Sequence, residues 1–115
     1  MLPKRRRILR KEFANILKNG RRFHSPNLVL CVAPISSGGA SDSKFSFSVS
    51  KKVCQKAVDR NKYRRRGYSI ILKNLKKIKP GYFCLFSFKK TPELLTFSTL
   101  EKDVTELLSM SGVLS

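Results

Sequence analysis

Apolar residues recur along this chain at two spacings, and the switches between them mark out helices and strands. Leu9, Phe13, Ile16 and Leu17 fall at helical spacing, with Gly20 as a natural stop. Residues 27–33 alternate, with Leu28, Leu30 and Val32 on one face and Val29, Cys31 and Ala33 on the other, which predicts a strand that is apolar on both faces. Residues 44–50 alternate more sharply: Phe45, Phe47 and Val49 point to a core, and Ser46, Ser48 and Ser50 form a polar row opposite. The Ser/Gly-rich residues 36–43 between these strands suit a flexible hairpin loop.

The longest predicted helix spans about residues 57–75. Its second half carries a stripe of Tyr68, Ile71, Leu72 and Leu75, whereas Asn61 and Arg64 hold the stripe positions of its first half. The expectation is a helix that docks by its C-terminal half and offers its N-terminal half to a charged partner. Pro80-Gly81 then turns the chain into a β-rich run, 82–88. A last amphipathic helix follows, with Phe97, Leu100, Val104, Leu107 and Leu108 inward and Ser98-x-x-Glu101 as a capping box. The predicted fold class is α+β, a single-domain α-β sandwich over residues 1–115 in the order α-β-β-α-β-α. Its second and third strands, joined through the long helix, can pair in parallel. Residues 1–8 read as a flexible basic arm, either a phosphate-contacting segment or a solubilising tail.

Charge changes this picture more than composition does. Twenty-five Lys and Arg face seven Asp and Glu, a net charge of +18 that repels itself in any compact state unless a polyanion neutralises it. Residues 1–92 carry 24 basic and 3 acidic side chains; residues 93–115 carry 1 basic and 4 acidic. One part of the molecule is expected to face a polyanion and the other solvent. Cys31, Cys54 and Cys84 lack a C-x-x-C pair and, with the lone His24, form no zinc pattern, so reduced thiols in a cytoplasmic protein are expected. No apolar run reaches 18 residues, and nothing resembles a signal peptide, so no membrane is expected as a partner; DNA is not an expected partner either.

From Lys51 to Arg66 there are eight basic residues and one acid, Asp59. A merely soluble helix gains from interleaved opposite charges, and this one has almost none to use. Arg60 and Arg64 share a face, with Lys62, Arg65 and Arg66 on adjoining ones, and the planar guanidinium suits bidentate pairing with phosphate. Nucleic-acid binding therefore outweighs a solvated charge run. Phe45, Phe47, Phe83, Phe86 and Phe88 fit a core better than a base-stacking sheet, and a single His with few, mostly C-terminal acids gives no catalytic set and no protein-borne metal pair.

The same stretch carries a family resemblance. Ser48-Val49-Ser50-Lys51-Lys52, then Ala57-Val58, then Arg60-Asn61 followed by Arg64-Arg65, resembles the signature of the bacterial ribonuclease P protein family. Leu2-Pro3-Lys4, Glu12-Phe13, the strand at 28–32, Pro80-Gly81-Tyr82 and the helix after Phe97 extend the likeness over nearly the whole chain. The resemblance implies an accessory subunit with no catalytic residues of its own. Its partners would be ribonuclease P RNA and precursor tRNA, and its chemistry 5′ maturation of tRNA by that RNA. Mg²⁺ would be held mainly by the RNA, with no metal site in the protein and no organic cofactor. It also implies a left-handed β-α-β crossover. Arg60, Asn61, Lys62, Arg64, Arg65 and Arg66 would dock on the catalytic RNA. A cleft for the 5′ leader would draw on Phe13, Leu17, Cys31, Ser48, Ser50, Lys51 and Lys52.

This chain departs from the family pattern at three places. Leu17 and Cys31 stand where aromatics are usual, which removes stacking area from the cleft. After Arg66 the family pattern gives way to Gly67-Tyr68-Ser69, with Gly67 either a bend or neutral drift. A ribosomal-type structural RNA-binding protein is the alternative reading, and a stand-alone nuclease a third.

Overall fold

The computed structural model describes residues 2–35, 42–89 and 95–114. Three helices, α1 (Phe13–Asn19), α2 (Ala57–Asn74) and α3 (Phe97–Met110), accompany four strands: β1 (Arg21–His24), β2 (Leu28–Pro34), β3 (Lys44–Ser48) and β4 (Tyr82–Phe88). The strands form one mixed sheet in the order β1-β2-β4-β3. β2 runs antiparallel to β1 and β4, while β3 runs parallel to β4 with Phe47 opposite Phe86.

Two expectations about the sheet are corrected. The order is α-β-β-β-α-β-α, because Arg21–His24 forms a strand that hydropathy does not mark. Only Phe23 of its four residues is even half-buried, and backbone pairing with β2 is what makes it a strand. The expected β2–β3 hairpin is absent as well: β4 lies between the two, buried along Phe83–Phe86. A strand that is apolar on both faces takes the middle of the sheet, and the serine-bearing β3 is left at its edge. Residues 36–41 of the expected loop lie outside the described residues. Ser43 beyond them is buried, its hydroxyl donating to Lys79 O at 2.6 Å and accepting from Tyr82 N at 3.0 Å.

Each face of the sheet has its own core. On one, Leu28, Leu30, Val32, Phe45, Phe47, Cys84 and Phe86 pack against α2 and α3. On the other, Cys31, Ala33, Phe83 and Leu85 meet Ile16 of α1 and Ile8, with Phe13 alongside. Burial pushes the Cys84 thiol up to about 12, so it stays protonated and inert in the folded protein. The arm expected over residues 1–8 is, from Leu2 on, laid against the sheet. Leu2 is 1% exposed, and Ile8 N donates to Phe45 O at 3.1 Å across a parallel bridge beside Arg7.

α2 docks along more of its length than the apolar stripe foretold. Its buried residues are Tyr63, Gly67, Ile70 and Ile71, whereas Leu72 of the predicted stripe is 39% exposed. Gly67 explains the difference. A Cβ there would lie 2.6–2.7 Å from the Phe47 ring carbons, so the helix rests its backbone on that ring through a residue that hydropathy cannot register. Gly67 thus serves as a packing seat within the continuous helix α2. α3 presents the predicted inward face, but Thr96 caps it, its hydroxyl accepting from Thr99 N at 3.2 Å. Glu101 of the expected capping box pairs instead with Lys73 at 2.7 Å. The acidic C-terminal part is not simply solvated either, since Asp103 is buried.

Candidate nucleic-acid interface

The sequence-predicted basic residues of α2 do not act as one surface. Asn61, Arg64, Arg65 and Tyr68, spaced i, i+3, i+4 and i+7, share a flank and line a hollow of about 420 Å³ with Arg7. Arg64 there donates to the Asn61 side-chain oxygen, which orients the guanidinium along the hollow. Lys62 and Arg66 lie on a second flank, their cationic groups 5.2 and 5.6 Å from the Tyr63 ring centroid. Arg60 folds back onto the preceding loop, Nη1 donating to Cys54 O at 3.0 Å and Gln55 O at 2.7 Å.

A second depression, about 390 Å³, follows the edge strand. Ser46 and Ser48 of the predicted polar row line it together with Phe47 and Val49; Ile8, Arg10 and Phe13 line it from the N-terminal side, and Arg64 and Tyr68 from α2. Its origin is the sequence of β3. Small serines on that face leave room beside α1, which packs on β2 and β4. The groove and the hollow share Arg64 and Tyr68 in their linings.

Of the predicted cleft residues, Phe13 and Ser48 meet in this groove. Cys31 does not line it. Its thiol is buried beneath α1 and donates to Ile16 O at 3.2 Å; burial raises its pKa, opposed by the nearby Arg22. A Cβ on Gly20 would lie 2.6 Å from the same sulfur, so α1 closes tightly over that position. Leu17 is 45% exposed and outside the groove lining, its carbonyl accepting from Arg22. Ser50 starts the exposed turn that carries Lys51 and Lys52, its carbonyl accepting from Val53 N and Cys54 N. Sequence reasoning missed Arg10 and assigned Tyr68 to the core, while Arg7 fell in the arm read as either phosphate-contacting or solubilising. Helical spacing from Asn61 and Arg64 was the signal available for Tyr68.

A family model described as Ribonuclease P matches residues 2–112. The chain belongs to the bacterial ribonuclease P protein family. It is 34% identical over 106 residues to the ribonuclease P protein component of Chloroflexus aurantiacus, covering 90% of this chain and 75% of that one. It is 28% identical over 116 residues to that of Synechococcus elongatus, covering 98% and 95%. Among solved structures, the RNase P protein of Staphylococcus aureus matches with a TM-score of 0.84 at 20% identity, over 96% of this chain and 98% of that one, a likeness of fold. The RNase P protein of Thermotoga maritima matches at 0.80 and 25% identity, over 90% and 96%.

As a ribonuclease P protein, the chain is the protein component of an RNA-based endoribonuclease, a partner of ribonuclease P RNA in tRNA 5′ maturation. The family match displaces both the ribosomal-type and the stand-alone nuclease readings. Among the described residues no three His, Cys, Asp or Glu side chains cluster, Asp42 pairs with Arg6, Glu101 pairs with Lys73, and Asp103 accepts three hydrogen bonds. No described helix is long and apolar enough to cross a membrane.

Proposed function

We propose that this subunit holds the 5′ leader of precursor tRNA in the edge-strand groove while the basic flanks of α2 grip ribonuclease P RNA. The observation that carries the proposal is the make-up of the groove: an aromatic side chain, Phe13, over a serine floor, with Arg10 and Arg64 beside it. Single-stranded RNA offers unstacked bases and a phosphate on every nucleotide, and such a groove serves both. Arg65 and Arg66 on α2, with Lys51 and Lys52 beyond β3, extend positive charge toward the catalytic RNA. Arg60, already tied to the Cys54–Gln55 backbone, holds the loop before α2 in place while its remaining donors stay free for phosphate.

The protein then contributes by position and charge, lowering the entropic and electrostatic cost of bringing two polyanions together. It supplies no group to the bond-breaking step. Mg²⁺, bound mainly by the RNA, would supply the hydrolytic chemistry, and no step is assigned to the protein's carboxylates. Free thiols at Cys31, Cys54 and Cys84 accord with a cytoplasmic site of action. The β3–α2–β4 connection is proposed to take the left-handed course that the family resemblance implies, against the usual right-handed preference.

Reconstitution with ribonuclease P RNA tests the assignment. At low Mg²⁺ the protein should tighten binding of precursor tRNA carrying a leader over the same tRNA without one. Phe13→Ala should reduce that preference by about 1–3 kcal/mol, the worth of one stacked base. Arg65→Ala should instead weaken binding to ribonuclease P RNA. Equal affinity for both tRNAs would overturn the leader assignment.

A further inference from the structure

Tyr68 stands where the groove and the hollow meet, lining both. Its ring is only partly buried, unlike that of Tyr63 one turn earlier. An edge-on contact with Phe47, centroids 5.3 Å apart at 86°, sets its orientation, and its hydroxyl accepts from Phe47 N at 3.4 Å. Phe47 is itself immobilised by stacking on Phe86 at 4.6 Å and 7°. Among the described residues no ring lies parallel to Tyr68. Gly67, by letting α2 settle onto Phe47, brings the next residue to the groove edge. Gly67 and Tyr68, two of the residues that part from the family pattern, therefore work together.

The groove also lacks aromatics where they were expected. Leu17 lies outside it, Cys31 is buried under α1 and Phe47 is 2% exposed, leaving Phe13 on the N-terminal side and Tyr68 on the α2 side as its accessible rings. Arg64 beside Tyr68 supplies a cation for the phosphate that a stacked base brings with it. We infer that Tyr68 is a specificity-determining residue that stacks on one base of the single-stranded leader at the α2 end of the Phe13–Ser48 groove, beside Arg64. This rests on the leader reading above and adds to it a site on α2.

The test uses the holoenzyme reconstituted from the full chain and ribonuclease P RNA, reading the ratio of affinities for leader-bearing and leaderless tRNA. Tyr68→Leu should lower that ratio about tenfold and Tyr68→Phe should keep it, with binding to ribonuclease P RNA unchanged in both. A single abasic nucleotide, scanned along the leader, should reproduce the loss at one position in the unsubstituted protein and add nothing in Tyr68→Leu. Should Tyr68→Leu fail to fold, Tyr68→Met and the abasic scan carry the same test. An unchanged ratio in Tyr68→Leu alongside a loss in Phe13→Ala would overturn the role of Tyr68 and leave the groove assignment standing. Equal losses in Tyr68→Leu and Tyr68→Phe would overturn stacking in favour of the hydroxyl. No leader preference in the unsubstituted holoenzyme would overturn the groove assignment itself.

Discussion

Gly67 and Phe47 show how one missing side chain sets the position of a whole helix. Phe47 is 2% exposed and clamped by Phe86 and Tyr68, so it cannot swing aside to admit a methyl group. Gly67→Ala would gain about 1 kcal/mol of helix propensity, yet its Cβ would sit 2.6 Å from the nearest ring carbon. Overpacking of this kind costs about 1–3 kcal/mol, and urea unfolding should show a net loss of stability. An unchanged or higher midpoint would mean that lifting α2 off Phe47 costs no more than the propensity gained, about 1 kcal/mol. Glycine carries no hydropathy, so the sequence could not show that position 67 belongs to the buried stripe. Cys31 shows a related gap: the family resemblance placed it in the cleft and alternation gave its face of β2, but neither said that α1 covers that face.

At the scale of elements, α3 is tied to the β1–β2 turn by a single carboxylate. Asp103, 4% exposed, accepts from Ser25 Oγ at 3.1 Å, Asn27 N at 3.2 Å and Asn27 Nδ2 at 3.0 Å, while Lys89 Nζ donates to Ser25 O at 2.8 Å. Asp103→Ala would leave the two Asn27 donors without an acceptor in a partly dry site and Ser25 Oγ with only the longer bond to Leu28 O at 3.4 Å. A cost of about 1–3 kcal/mol follows, readable as a lower urea midpoint with ribonuclease P RNA binding retained when the protein is folded. α2 divides its circumference in a comparable way: one flank lies on the sheet, one lines the groove, and one places Lys62 and Arg66 against Tyr63.

For the molecule as a whole, a net charge of +18 on 115 residues makes its association with RNA a salt-sensitive equilibrium. If about 6–10 phosphates are contacted, affinity for ribonuclease P RNA should fall by roughly 10³–10⁵ between 50 and 200 mM salt. Arg65→Ala should lower the slope of log affinity against log salt by about 1. Filter binding across a salt series checks both, and a salt-independent affinity would contradict the electrostatic account. Two described carboxylates are engaged by cations, Asp42 by Arg6 and Glu101 by Lys73, which leaves most of the positive charge without an acidic partner inside the protein.

Periodicity in the sequence was enough to locate β2, β3, α2 and α3, because each buries one face or both and its spacing records that burial, while the Pro80-Gly81 turn and the β-rich run after it located β4. The run of Lys and Arg without interleaved acids pointed to RNA, and the motif from Ser48 to Arg65 pointed to the family. Neighbours were a different matter. That β4 separates β2 from β3, that β1 exists at all, that Leu2 joins the core and that Tyr68 rather than Leu17 or Cys31 faces the groove were decided only in three dimensions. The physical reason is that spacing describes an element about its own axis. Which surface covers it depends on backbone pairing and close contacts between residues far apart in the chain, and a strand like β1 or a seat like Gly67 needs no apolar side chain to form.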